Sequence, residues 1–467
     1  MTMKLTERVY ESLANWGDHP VIIELMADKQ PVYISAGDYR ARIDEIKAFM
    51  IKSGILKNHI VALFLKNSAD FAAIFLALID IGAKPIPINL AFRKMELDEI
   101  FSNADPHAII TESDHIHVLQ SYINNRILVE RLDGKLSTRH SGKKNAINEP
   151  ADFDEALASI NYTYRGYGYP LGAMVPHSQY LMGTEILEEA VQLKKGERLL
   201  VILPMPHIFT LIGCVFLPLV YKITSVISSS RNPLRLFEHI QKYNIDNVLA
   251  VPELYELFIN LRDSAQDITT LKAFLSGGSI LPKENFYKLI DTFNVDLIHG
   301  YGLTEFTPVS RNIRGSIKPG TIGTVCKGLE CRIMSPDAHG SGEIMIKTGN
   351  MTHAYYKRTS ETRDAFDNGW FGTGDIGRIE DGYLIFEHEK KGTRKVKGNM
   401  VDLEEVKFAL LQCTGIKDVL VEYNMNKLSA HIATDSNKEF SEYIIYIKKM
   451  LEQLIATYKI PATFVKL

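Results

Sequence analysis

HGYGLTEF, His299 to Phe306, follows a short and mostly apolar run, Val295 to Ile298, that reads as a buried strand. The stretch sets two glycines, a tyrosine, a threonine and a carboxylate side by side, which is the composition of a ligand site. Gly300 and Gly302 let backbone approach a flat ligand closely, and Tyr301 offers a ring face for stacking. Thr304 and Glu305 suit a phosphate and its magnesium ion. The plain alternative is a glycine-rich turn with Glu305 solvated, and the rest of the chain has to decide between them.

Working outward, 467 residues exceed one ordinary core and imply two or more domains. A hydrophobic content of 46% with 23% charged residues is that of a globular protein, and a formal net charge of -3 gives no electrostatic reason to expect nucleic acid. A small-molecule partner is expected instead. The first twenty or so residues lack the apolar core of a signal peptide. The longest apolar run, Leu199 to Tyr221, is interrupted by Pro204, Pro206, His207 and Pro218, so it reads as strand, proline turn and core helix rather than a membrane span. Cys214, Cys326, Cys331 and Cys413 form no CxxC pair, and a reducing, cytoplasmic location is the expectation.

From Val21 to about Thr111 strand-like runs (VIIEL, HIVALFL, KPIPINL) alternate with helical patterns (DYRARIDEIKAFMIKSG, ADFAAIFLALIDIG), which predicts crossover units and a mainly parallel sheet. Asp133 to Asp152 carries no periodicity and reads as an exposed connection. A second α/β set follows, with LLVILP, NVLAVP and LKAFLS as strands. After Ile313 short alternating runs with many glycines (GLECRIM, GEIMIK, GYLIFEH) predict a β-rich subdomain over about 313–390. A basic run, Lys390 to Lys397, leads into a compact α+β tail over 391–467, and Lys391-Gly392 is the candidate hinge; the run is equally readable as a solvated face. The expected fold class is therefore α/β, with a large N-terminal domain of mainly parallel sheets flanked by helices over 1–390 and a small C-terminal domain.

Two further glycine clusters carry chemistry. RGYGYPLGA, Arg165 to Ala173, exposes backbone N–H groups that suit an anion, although Leu171 stands where a dinucleotide fingerprint needs glycine and no Walker lysine follows. A Gly-Pro surface turn is the plain alternative. In GWFGTGDIG, Gly369 to Gly377, Asp375 can accept from a ribose diol or simply cap a turn. His207 lies at a strand end, where ligand crevices open in α/β sheets, though a lone histidine there also serves packing. His115 and His117 have no third ligand nearby, so no metal site is expected from them, and the absence of GxSxG and HExxH leaves serine-hydrolase and zinc-protease chemistry without support.

Taken in order, these clusters resemble the adenylate-forming superfamily of acyl- and aryl-CoA synthetases, luciferases and peptide-synthetase adenylation domains, from about Pro20 to Val465; the most specific parts are YGLTE and GWFGTGDIG followed by Gly398. The resemblance implies a large N-terminal domain and a C-terminal lid that rotates between two half-reactions: a carboxylate attacks the α-phosphate of ATP, and then a thiol displaces AMP from the acyl adenylate. It implies ATP/AMP, Mg2+, and CoA or carrier-protein phosphopantetheine as the cofactors, and a small carboxylic-acid or acyl substrate. By position it implies adenine stacking on Tyr301 with Gly278 and Ser279 of LSGGS opposite, a phosphate contact at Thr304, a magnesium ligand at Glu305, a ribose ligand at Asp375, and an acyl-carboxylate gate at His207. Thr163, Arg165 and Gly168 fall in the phosphate loop, while Lys395, Lys397 and Gly398 match the loop that the lid presents for thioester formation.

The departures are as informative. In YTYRGYGYPLG, Tyr162 to Gly172, Tyr164, Gly166 and Tyr167 replace small hydroxyl residues and Leu171 replaces a lysine, although Arg165 restores a cation. His388-Glu389 stands where the family has Gly-Arg before the hinge, and a carboxylate there repels a nucleotide. Family members continue past TYKIPATFVK to a glycine-lysine pair used in adenylation; the sequence in hand ends at Leu467, and Lys466 lies too early by that spacing, so a trimmed chain and a lost lysine both stay open. The expected function is an acyl-activating ligase that handles an acyl adenylate and an acyl thioester, with the ATP-dependent step in question; the alternative is a degenerate member that only binds nucleotide or acyl ligand. Tyr255 and Phe258, on one face of ELYELFINL, are candidates for an acyl pocket or for core packing.

Overall fold

A computed structural model of the chain describes residues 3–26, 29–140, 152–230, 232–262, 268–390, 392–396, 398–424, 427–435 and 439–467. Its centre is a large mixed sheet. Five strands, Ile22–Leu25, Thr224–Ser228, Arg198–Val201, Asn247–Ala250 and Ala273–Ser276, lie parallel in that spatial order, and Asp296–Tyr301 adds a sixth. Beyond Tyr301 the pairing turns antiparallel, through Ser310–Arg311, Thr324–Val325, Tyr383–Glu389, Trp370–Glu380, Gly342–Lys347 and Glu330–Met334. The β-rich run after Ile313 is thus hydrogen-bonded into the main sheet, and the parallel half of the sheet meets the antiparallel half at HGY.

A second sheet carries Lys84–Pro87, Ile60–Phe64, Ala108–Glu112 and Ile127–Leu132 in parallel. Its strands are near-continuous apolar runs because helices cover the sheet; Ala69–Ile81, capped by Ser68 and ended by Gly82 at φ +87°, is buried over nearly its whole length. One expectation fails here. Lys135–His140, read as part of an exposed connection, is a strand paired antiparallel to Ile127–Leu132. Its residues Lys135, Leu136, Ser137, Thr138 and Arg139 alternate without a strong apolar set, so the pairing rests on backbone hydrogen bonds that periodicity does not reveal. Residues 141–151 of the same stretch lie outside the described residues.

The hairpin Leu157–Thr163/Leu171–Pro176 forms a two-stranded sheet, bonded through Gly172 and Met174 to Tyr356 and Ala354, and holds RGYGY at its tip. The C-terminal part has its own hydrophobic core, with Val406, Leu410, Ile432, Tyr443, Ile447 and Leu451 buried between the strands Ile416–Asn424 and Lys427–Thr434 and the helices Leu403–Leu411 and Phe440–Leu454. Among the described residues no helix is long and apolar enough to cross a membrane.

Candidate functional site

The C-terminal ends of the parallel strands open on one cavity of about 510 Å³. This is the edge at which open α/β sheets bind ligands, because the loops leaving neighbouring strands diverge there. Gly277 and Gly278 follow Ala273–Ser276, Tyr301 ends its strand, and His207 lies on the loop after Arg198–Val201. The tip of the Leu157–Thr163 hairpin, Gly372 to Asp375 and the C-terminal residues Thr393, Lys395, Gly398 and Met400 close the remaining sides.

Tyr301 is 5% exposed, and its hydroxyl donates to Asp375 Oδ2 at 2.6 Å. Burial raises the Asp375 carboxyl above the usual carboxylate range, with the positive charge of Lys395 opposing it. Lys395 Nζ stands 5.4 Å from the centre of the Tyr301 ring. Thr304 lines the cavity, and its carbonyl accepts from Gln179 Nε2 at 2.9 Å. Glu305 is buried; it accepts from the Tyr355 hydroxyl and lies 3.9 Å from Arg165 Nη1. Arg165 itself donates to the carbonyls of Thr373 and Gly372 at 3.1 and 2.6 Å and stacks 4.6 Å over Phe371. His207 Nδ1 accepts from Phe209 N at 3.3 Å, which leaves the proton on Nε2. Desolvation, aided by Lys395, brings the His207 ring down to about 4, so it is neutral near pH 7.

The structure therefore brings together Tyr301, Gly300, Gly302, Thr304, Glu305, Asp375, Gly278, Thr163, Arg165, His207, Lys395 and Gly398 around one space. Two anticipated contacts lie outside the main cavity. Ser279 lines a small neighbouring cavity with Gly278, Gly300, Tyr301, Gly302 and Lys395, and donates to the Glu253 carboxylate at 3.1–3.2 Å. Gly168 is outside the main cavity, its N–H donating to Asp402 Oδ2 at 2.9 Å. The glycines serve chain against chain as well: a Cβ on Gly302 would sit 2.9 Å from Thr307 Oγ1, and one on Gly398 would sit 2.6 Å from Val251 Cγ1. Tyr255 and Phe258 belong to the core, with the Tyr255 hydroxyl donating to the carbonyls of Val248 and Leu275. Lys391 and Lys397 lie outside the described residues. Glu389, paired with Asp375 across the sheet, accepts from Lys395 N at 3.3 Å.

Sequence reasoning missed Tyr355, Gln179 and Asp402. Each is distant in sequence from the motif it supports and carries no local pattern of its own. Glu305, the expected magnesium ligand, already accepts from the Tyr355 hydroxyl and lies 3.9 Å from Arg165 Nη1, so a magnesium ion there would draw mainly on substrate phosphates and water.

A cavity at the carboxyl edge of a parallel sheet, walled by an aromatic ring, a buried aspartate and a cation from a separate C-terminal core, defines an α/β ligand-binding enzyme. The chain belongs to the family of AMP-binding enzymes, whose model matches residues 9–356. It is 26% identical over 437 residues to the long-chain-fatty-acid–CoA ligase FadD13 of Mycobacterium tuberculosis, an alignment covering 87% of this chain and 84% of that protein. Among solved structures it is similar in fold to the amide bond synthetase McbA from Marinactinospora thermotolerans, with a TM-score of 0.84 and 15% identity over 100% of this chain and 96% of that one. It is also similar to o-succinylbenzoate CoA synthetase (MenE) from Bacillus subtilis, with a TM-score of 0.81 and 18% identity over 98% and 94%.

Proposed function

We propose that this chain is an acyl-activating ligase of the acid–thiol kind, which converts an acyl adenylate to an acyl thioester of CoA or of a carrier-protein phosphopantetheine. The observation that carries this reading is the position of Lys395: a cation from the C-terminal part stands over Tyr301, in the same cavity as Asp375, Thr304 and His207. In this reading the adenine lies on the Tyr301 ring and the ribose diol donates to the Asp375 carboxylate. The acyl group points past His207 toward the apolar wall of Leu187, Val191, Leu249 and Leu275.

The thiol sulfur attacks the acyl carbonyl, a C–S bond forms, and the bond from the acyl carbon to the phosphate oxygen breaks. AMP leaves with the electron pair, and the thiol proton passes to solvent. Lys395 stabilises the negative charge that gathers on the leaving phosphate. His207 Nε2–H can donate to the carbonyl oxygen. We further propose the hinge beside Gly392, whose φ of +105° lets the backbone reverse there, and the C-terminal part as the moving lid.

Synthetic acyl adenylates of graded chain length, mixed with CoA or with a phosphopantetheinylated carrier protein, test the reading. Thioester should accumulate over many turnovers for at least one acyl class. Adenylates that bind but never turn over with either thiol would defeat it in favour of a binding protein.

A further inference from the structure

The hairpin tip after Thr163 holds donors that a phosphate loop would turn toward phosphate, yet four of them reach carboxylates of the chain itself. Tyr164 donates its hydroxyl to Glu405 Oε1 at 2.5 Å, and Gly168 N donates to Asp402 Oδ2 at 2.9 Å. Tyr167 and Tyr169 donate to Asp364 and Glu361 at 3.3 and 2.7 Å. Asp402 and Glu405 come from the C-terminal part, and Glu361 and Asp364 from the helix Thr359–Ala365. The one cation of the tip, Arg165, is committed to Gly372 O, Thr373 O and Glu305.

The contact extends beyond the tip. Phe408 packs on Gly168, where a Cβ would come within 2.6 Å of its ring, and Gly392 meets the Gly166 backbone. Lys459 Nζ, fully buried, bonds Glu405 Oε2 at 2.5 Å, Glu96 Oε1 at 2.9 Å and the Tyr164 hydroxyl at 2.9 Å. Glu96 accepts in turn from Ala456 N at 2.8 Å. A buried ion cluster that joins two parts of a chain is costly to break by halves, because each half then holds uncompensated charge.

We propose that the tip Tyr164–Tyr169 is a docking site for the lid rather than a cradle for phosphate, so that the cavity takes a nucleoside monophosphate ester, an acyl adenylate or AMP, and rejects the magnesium-bound triphosphate. The inference rests on reading the cavity as an adenylate site. A triphosphate extended toward the tip meets Asp364, which lines the cavity, while Asp402, Glu405 and Glu361 already occupy the donors of the tip, so no free donor there offsets the repulsion between like charges. A single phosphate is met by Lys395. The acyl adenylate must then be supplied by a separate ATP-consuming adenylation reaction.

Calorimetric titration of the full chain with AMP, with a non-hydrolysable acyl-sulfamoyl adenosine and with ATP plus magnesium tests this. The two monophosphate-type ligands should bind at least tenfold tighter than magnesium-ATP. Asp402→Asn removes the charge and keeps one acceptor oxygen, for Gly168 N–H or for the helix cap at Glu404 N and Glu405 N, and should narrow the gap several-fold. Tyr164→Phe, which leaves that charge in place and loosens docking, should weaken the acyl-adenylate analogue more than AMP. Magnesium-ATP binding as tightly as AMP, or acid-dependent exchange of pyrophosphate into ATP, would overturn the proposal while leaving the adenylate site standing. Failure of all three ligands to bind would remove that site and the proposal with it.

Discussion

Tyr301 serves two neighbours at once, offering its hydroxyl to Asp375 and its ring face to Lys395. Asp375→Asn keeps the size of the side chain and removes the charged acceptor, so affinity for adenylate ligands should fall about tenfold or more, equivalent to about 1.4 kcal/mol, with little change in melting temperature. Calorimetry that gives equal affinities for the two proteins would contradict a ribose contact there. Lys395→Ala should lower kcat for thioester formation by about 10²-fold, with a smaller change in adenylate affinity, since its charge is needed most as the phosphate leaves. Stopped-flow thioester formation reads this directly, and a loss confined to binding would argue against the role. The five-residue YGLTE pattern made Tyr301, Thr304 and Glu305 legible as a site in the sequence. What surrounds Glu305 was not legible, because Arg165 and Tyr355 reach it only through the fold.

The hairpin tip shows what an element adds to its residues. In the sequence, Tyr164 and Tyr167 look like losses of small hydroxyl donors; in the fold their length carries the hydroxyls out to Glu405 and Asp364. Spacing along the chain marked the turn, since Gly166 and Gly168 both take positive φ, but partners more than 190 residues away in sequence leave no local trace. Gly168→Ala brings a methyl group against Phe408 in a left-handed backbone conformation, so the C-terminal part should undock. Limited proteolysis near Gly392 should then quicken several-fold and AMP affinity should fall, since Lys395 leaves the cavity with the C-terminal part. Unchanged proteolysis would show that the tip does not hold the C-terminal part.

At the scale of the whole molecule, alternation of strands and helices was legible in the sequence, because parallel strands covered by helices read as apolar runs. The joining of the parallel and antiparallel halves into one sheet was not, since it depends on a short pairing at His299, Gly300 and Tyr301. The packed body also fixes a pH response. His59, His177, His207 and His299 are each brought down to about 4 by burial, whereas an unfolded chain protonates them near the ordinary value of about 6.5. The folded state thus binds fewer protons between those values, and their contribution is full above that window and lost as pH falls through it, at up to about 1.4 kcal/mol per pH unit for each ring. Glu405, pushed up to about 7 by burial and by the charge of Glu96, opposes this, since its folded-state proton is lost as pH rises. Asp375, Asp402, Glu24 and Glu188, also raised by burial, act with Glu405, but the four rings carry the larger shifts, so the melting temperature should drop between pH 7.5 and pH 5; a flat profile would refute the balance. The cluster around Lys459 also bears on how such a sequence can drift. Replacing Lys459 alone strands Glu96 and Glu405 together in a dry interior, and replacing either acid alone leaves less to balance the ammonium. Neutral change at positions 96, 164, 405 and 459 is therefore coupled, and descendants of this gene should keep the four residues as a set or exchange them as a set.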